Sequence, residues 1–243
     1  MGEFETLDRR PLYARVADSI LSLIAEGGLR PGDELPSEAE LCDRAGVSRV
    51  VVRGALAHLA GAGHIKIANG RKAQVTAINP DILASTFRQG LATDQFSVGK
   101  VIELRRGIEG ATAGLAAQNR TAKQVETLAT LCDQMAQTQD TPEVFADLDY
   151  LFHLTIAEAT DNPLYVYIVT PLRSVITQSI TAGHLAQPSE LAQRRILADH
   201  RAILKAIAER NPEAATKAMQ AHFSAASEAL QQSKAAPTAG PTP

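Results

Sequence analysis

Residues 143–160, EVFADLDYLFHLTIAEAT, set a carboxylate and an imidazole one helical turn apart. At about 100° per residue, Phe145, Phe152 and Ile156 share one helix face, and Asp149 and His153 fall in its middle. A buried carboxylate without a partner costs several kcal/mol or shifts its pKa. An acid and a histidine at i, i+4 on one helix are well spaced to grip a metal ion together.

Two further helical stretches point histidines inward. In ELAQRRILADHRAILKAIAE, His200 lies at the centre of a stripe made by Leu191, Ile196, Leu197, Ile203, Leu204 and Ile207. In PEAATKAMQAHFSAASEALQ, His222 stands among Ala215, Ala218, Met219, Ala226 and Ala229. A lone inward histidine is ordinarily a hydrogen-bonded core residue. Asp149, His153, His200 and His222 together offer three imidazoles and one carboxylate. That set suits a divalent transition metal, Zn first, with Ni, Fe or Mn as alternatives, and leaves positions for water or a ligand oxygen. A metal would also neutralise Asp149.

Arg105 is another charge on an apolar face. In VGKVIELRRGIEGATAGLAAQ it sits among Val98, Val101, Ile108, Thr112 and Ala116, with Glu109 one turn on. Two roles are open: an i, i+4 ion pair with Glu109, or a bidentate clamp for a carboxylate that also touches the metal.

The elements that position these groups divide near AINPD, residues 77–81. Beyond it the periodicity is helical throughout. Before it, PLYARVADSILSLIAEGGL is an amphipathic helix stopped at Gly27-Gly28. Ser37 and Glu40 form a capping box, so a short helix starts at Ser37 and ends at Gly46. Ser48 then caps SRVVVRGALAHLAGAG, giving a helix-turn-helix pattern. HIKIANGRKAQV alternates around Asn69-Gly70, a strong hairpin signal, and reads as a wing.

Charge follows this pattern. Between Arg44 and Lys72 the chain carries Arg44, Arg49, Arg53, Lys66, Arg71 and Lys72 and no Asp or Glu. One-signed charge on a recognition helix and wing is a footprint for phosphate. Arg49 and Arg53 can reach guanine edges or phosphates in the major groove, and Ser48 a phosphate. Val50 offers a methyl contact to thymine, and Gly54 and Ala57 leave room for close approach. Asn69, Gly70 and Arg71 would enter the minor groove.

The remaining bulk properties narrow the class. A formal charge of −3 decides nothing about nucleic acid. Cys42 and Cys132 form no paired motif, which argues against disulfides and thiolate zinc sites. His58 and His64 read as surface residues, and His184 has no evident partner. The N-terminus is not a signal peptide, and no apolar run approaches the roughly 18 residues of a membrane span. A cytoplasmic chain without a membrane partner is expected. SKAAPTAGPTP at the C-terminus has no apolar period and is expected to be disordered.

The segments RPLYARVADSILSLIAEGGLRPGDELPSEAELCDRAGVSRVVVRGALAHLAGAGHIKIANGRKAQV and VIELRRGIEGATAGLAA, DLDYLFHLTIAEATDNP, DHRAILKAI and AMQAHF resemble GntR-family transcription regulators of the FadR-type subgroup, with an FCD effector domain. The resemblance implies a mainly α fold. A winged helix-turn-helix DNA-binding domain, 8–78, precedes an all-α helical-bundle domain, 79–233, that binds metal and effector and dimerises; 234–243 is the tail. It implies a homodimer on a pseudo-palindromic operator and a metal-containing cavity for a small organic acid. Arg49, Arg53 and Gly70 match DNA-contact positions, and Arg105 and Asn162 match effector positions. The chain departs where Ala39 replaces a basic residue, where Gly54 replaces Glu in the usual VREAL, and where the wing reads NGRKA. The expected function is a repressor released from its operator by a small carboxylate. The alternatives are a metal-dependent hydrolase carrying a DNA-binding module, and a constitutive DNA-binding protein with a purely structural metal.

Overall fold

Helical periodicity becomes helices in the computed structural model, which describes residues 10–68, 71–138, 141–181 and 190–235. Asn69, Gly70, His184 and residues 236–243 lie outside the described residues. The chain forms two units, divided between Ile82 and Leu83. No described helix is long and apolar enough to cross a membrane.

The first unit starts with α1 (Leu12–Glu26), whose Val16, Ala17 and Ile20 are buried. The Ser37 hydroxyl accepts from Glu40 N–H while the Glu40 carboxylate accepts from Ser37 N–H, and this box starts α2 (Glu38–Ala45). Gly46 ends α2 at φ 64°, in the left-handed region that Gly adopts without strain. The turn leads into α3 (Arg49–Gly61). Ser48 sits at its N-cap in extended backbone, but its side chain makes no capping hydrogen bond, contrary to the sequence expectation. The hydroxyl therefore stands exposed at the helix start.

The wing is shorter than its alternating sequence. β1 (Ile65–Lys66) pairs antiparallel with β2 (Gln74–Val75), in register Ile65↔Val75 and Lys66↔Gln74. The far side of β2 is occupied by the α1–α2 connection. Leu35 N–H donates to Ala73 O at 2.8 Å and Val75 N–H to Asp33 O at 2.9 Å. The wing base is thereby tied to the helix-turn-helix, over a core of Leu35, Leu41, Val52, Leu56, Leu59 and Ile65.

Helix α4 (Pro80–Ala92) begins before that division, and the rest of the second unit is helical as well: α5 (Val98–Asn119), α6 (Ala122–Gln137), α7 (Pro142–Glu158), α8 (Pro163–Thr181), α9 (Glu190–Ala208) and α10 (Pro212–Ala235). Helix α10 runs through Ala235, so residues 234 and 235 of the expected tail are helical. Leu128, Met135, Phe152, Leu172, Ile207 and Met219 are fully buried in one core. Leu191, expected in the α9 stripe, is 78% exposed because it lies in the first turn, ahead of the buried segment.

Two glycines one turn apart let α10 lie close along α5. A Cβ on Gly114 would stand 2.7 Å from Thr216 Oγ1 and 3.4 Å from Pro212 O, and one on Gly110 would stand 3.1 Å from Gln220 Cγ. Gly114→Val should therefore destabilise the chain by about 1–3 kcal/mol, as overpacking does. Urea unfolding checks it. An unchanged midpoint would mean the close approach is not needed.

Candidate metal centre and DNA-binding surface

Helix α7 places Asp149 and His153 on its buried face between Phe145, Phe152 and Ile156. Pro142 at its first position fits a helix start, where a missing N–H costs nothing. Helices α9 and α10 bring His200 and His222 to the same point. One donor atom from each of the four residues lies within 4.8 Å of the others, and all four residues are buried. Bonds of about 2.1 Å place two donors at most about 4.2 Å apart, so an ion needs only a small contraction of this set.

The donors are poised for a cation. His153 Nε2, both nitrogens of His200 and Nδ1 of His222 are buried without a hydrogen-bond partner. His200 Nε2 approaches Asp149 Oδ1 at 3.2 Å, and His153 Nε2 approaches it at 3.9 Å. Buried polar atoms are ordinarily satisfied, and this concentration of unpaired ones forms a group that could hold a metal ion. The three rings gather with centroids 4.9–5.4 Å apart.

A surrounding layer of charge orients the donors. Glu109 Oε2 lies 2.5 Å from His153 Nδ1. That contact keeps the ring proton on Nδ1 and turns the Nε2 lone pair towards the other donors, the arrangement typical of ligating histidines. Glu109 Oε1 accepts from Arg105 Nε at 2.5 Å. Arg105 thus takes the ion-pair role, yet its Nη2 is buried and unpartnered, and its guanidinium carbon lies 4.6 Å from the Phe223 ring centroid. Arg173 on α8 pairs through Nη2 with Asp149 Oδ2.

Each charge state has a physical cause. Burial opposes ionisation of Glu109, but Arg105 and His153 outweigh it and hold the carboxyl down to about 2. Burial, then repulsion from Arg105, lowers Arg173 to about 9, still cationic at neutral pH. Burial is the main force keeping His200 and His222 well below the ordinary histidine value, followed by repulsion from the neighbouring histidines. Both imidazoles are neutral at pH 7, as metal binding requires.

This has a consequence for stability. The unfolded chain protonates His200 and His222 near 6.5 while the folded chain does not. Metal-free protein should therefore lose stability as pH falls below about 6.5, with a slope approaching roughly 2.7 kcal/mol per pH unit for two groups. Glu109, depressed from 4.5 to about 2, adds a further loss only below about 4.5. Denaturant unfolding of chelator-treated protein across pH 8 to 4 reads both windows. A flat profile above pH 5 would contradict the neutral, buried imidazoles.

Asn162 does not join the cluster. It is exposed, and its Oδ1 accepts from Leu164 N–H at 3.0 Å, capping the start of α8. Two residues escaped the sequence reading. Arg173 is the sole charged residue of α8, a signal that was present in YVYIVTPLRSVIT. Gln193 on α9 is 2% exposed, and its Oε1 is buried without a hydrogen bond.

On the first unit, Ser48, Arg49, Val50, Arg53 and Arg71 are all exposed, Val50 at 81%. Arg44, Lys66 and Lys72 are exposed as well. Arg53 Nε donates to Glu38 at 2.9 Å across the surface, a pair weak enough in water to exchange for a phosphate. A Cβ at Gly54 would meet the Tyr13 Cβ of α1 at 3.3 Å, so the glycine also eases the packing of α1 on α3.

The comparisons with known proteins match both halves. Residues 12–75 match the family described as bacterial regulatory proteins, gntR family, and residues 100–225 match the FCD domain. The Glc operon transcriptional activator of Escherichia coli strain K12 is 31% identical over 88% of this chain and 87% of its own length. The HTH-type transcriptional repressor NanR of Citrobacter rodentium is 32% identical over 91% and 86%. The HTH-type transcriptional regulator LutR of Bacillus subtilis is 27% identical over 83% and 93%. Among solved structures, Streptococcus agalactiae GntR superposes with a TM-score of 0.69 at 25% identity, covering 89% of this chain and 99% of that one. These relatives and families are transcription regulators, not enzymes. The chain belongs to the GntR family of DNA-binding transcription regulators, with an FCD domain behind its winged helix-turn-helix.

Proposed function

We propose that this chain is a metabolite-responsive repressor whose C-terminal bundle holds a divalent metal, most suitably Zn, on Asp149, His153, His200 and His222. The observation that carries this reading is the set of buried, unpartnered imidazole nitrogens around one carboxylate. Bound there, the ion would act as a Lewis acid for an oxygen ligand. Arg105, through its open Nη2, would hold the carboxylate of a small organic acid beside the ion.

The domains act as residues 8–78 for operator DNA and 79–233 for metal, acid and dimerisation. A homodimer supplies two α3 helices for two half-sites of an operator. Ser48, Arg49, Val50, Arg53 and Arg71, with Asn69 and Gly70 at the wing tip, form the contact surface. Such a chain works in the cytoplasm, where its DNA is. The NanR relative is a repressor, whereas the Glc operon relative is an activator.

The ligand must bind the DNA-competent and DNA-incompetent arrangements differently. Coupling of about 1–3 kcal/mol is typical, so a saturating acid should weaken operator affinity about 5- to 150-fold. Fluorescence anisotropy with operator DNA from the chain's own promoter region, with and without a panel of hydroxy acids, sugar acids and dicarboxylates, reads this. Affinity unmoved by any acid but lost on chelation would favour a constitutive binder with a structural metal.

A further inference from the structure

In ILADHRAIL an aspartate directly precedes His200, so the two side chains leave α9 about 100° apart. His200 is fully buried, while Asp199 is half-buried at the side chain, 28% exposed. Its Oδ2 lies 3.9 Å from Nδ1 of His222 on α10. That nitrogen is buried and makes no hydrogen bond. Among the described residues Asp199 pairs with no lysine or arginine, although Arg195 stands one turn before it on the same helix. The arrangement repeats one already present across the cluster, where Glu109 Oε2 of α5 lies 2.5 Å from Nδ1 of His153. There the contact is closed. At His222 the gap exceeds hydrogen-bond length by about 1 Å. Glu109 is 2% exposed at the side chain and locked in place, whereas Asp199 has room to turn.

The four-residue grouping leaves open which ring nitrogen His222 gives to an ion. A carboxylate beside Nδ1 decides it. The neutral ring carries one proton, and an ionised carboxylate can only accept. The proton then sits on Nδ1, and the Nε2 lone pair is left for the ion, as at His153. We propose that Asp199 is a positioning residue of the metal site. It fixes the tautomer and orientation of His222 from behind, so that this histidine ligates through Nε2. Helix α9 thus serves the site twice, with His200 as a donor and Asp199 as the group that aims the donor of α10. The inference rests on the metal reading above and goes further, because that reading names four ligands and gives Asp199 no part.

The test uses the full chain, stripped of metal and titrated with Zn²⁺ against a coloured chelator. Loss of an outer carboxylate typically costs about 10- to 100-fold in metal affinity. Asp199→Ala should show a loss of that size. Asp199→Asn should lose less, since its amide oxygen still accepts, and Asp199→Glu, which keeps the carboxylate, should recover most of the affinity. Urea midpoints of the metal-free variants should match wild type, because the half-buried Asp199 closes no hydrogen bond to His222 there. A merely structural role would give the opposite pattern, a lower metal-free midpoint with Zn²⁺ affinity kept, and would overturn the proposal. Long-range proton–nitrogen spectra of ¹⁵N-histidine-labelled, Zn²⁺-loaded wild type read the tautomer itself. His222 should carry its proton on Nδ1 and its metal bond on Nε2. A His222 bound through Nδ1, or unaltered affinity in Asp199→Ala, would overturn the assignment and leave the four-ligand site standing. A wild-type chain that takes up no Zn²⁺ would overturn the metal reading as well. Should the variants not fold, the wild-type spectrum decides alone.

Discussion

His200→Ala should weaken metal binding by about 100-fold or more while leaving the chain folded. Structural zinc sites gain about 10–16 kcal/mol from a full ligand set, so one of four donors carries roughly 3 kcal/mol, or about two decades. In the wild type, saturating ion should raise stability by about 2.7 kcal/mol at a hundred times Kd. In His200→Ala that rise should nearly vanish at the same ion concentration. The fold should survive because His200 makes no hydrogen bond whose loss would strand a partner, and Phe152, whose ring centroid lies 4.4 Å away, lines the gap. Thermal melts with and without Zn²⁺ and a competition titration with a coloured chelator measure both effects. Equal ion-dependent stabilisation in the variant would mean that His200 is an ordinary core residue.

Arg105→Met should produce the largest loss of stability, about 3–5 kcal/mol. Arg105 and Glu109 are 3% and 2% exposed at the side chain. Removing one partner leaves the other as an uncompensated buried charge, and that penalty, rather than the attraction lost, dominates. Arg105→Met with Glu109→Gln should recover much of the loss, since a neutral amide can still accept from His153 Nδ1. Burying an ion pair is not itself strongly stabilising, so the double variant is the informative one. A single variant as stable as wild type would show that solvent reaches Glu109. A double variant no better than the single would show that Arg105 acts through its packing on Phe223.

Much of the site was legible because helical periodicity is regular. Asp149 and His153 at i, i+4, and His200 and His222 on their own stripes, needed only the angle per residue to be placed inward. The Ser37–Glu40 box was legible for the same local reason. What the sequence could not carry is which distant helix meets which. Arg173 lies 24 positions from Asp149 on a helix that contains Pro171, and only the α7–α8 packing makes them partners. Arg105 was placed on the correct face, but two roles were open, and the structure shows the Glu109 pair with one nitrogen to spare. Gly54 reads as an open spot on the recognition helix, and the sequence does not reveal that Tyr13 of α1 packs beside it. Asn162 was matched by likeness alone, and its capping of α8 follows from local geometry that likeness does not encode. Leu191 was counted into the α9 stripe because periodicity continues to the helix end while burial does not.

The measurement that tests the account most directly is elemental analysis of the full chain purified without chelators, combined with titration of the chelator-stripped protein. About one divalent transition ion per chain is predicted, absent from Asp149→Ala and strongly depleted in His153→Ala and His222→Ala. A wild-type chain that carries no transition ion and takes none up at micromolar concentrations would contradict it.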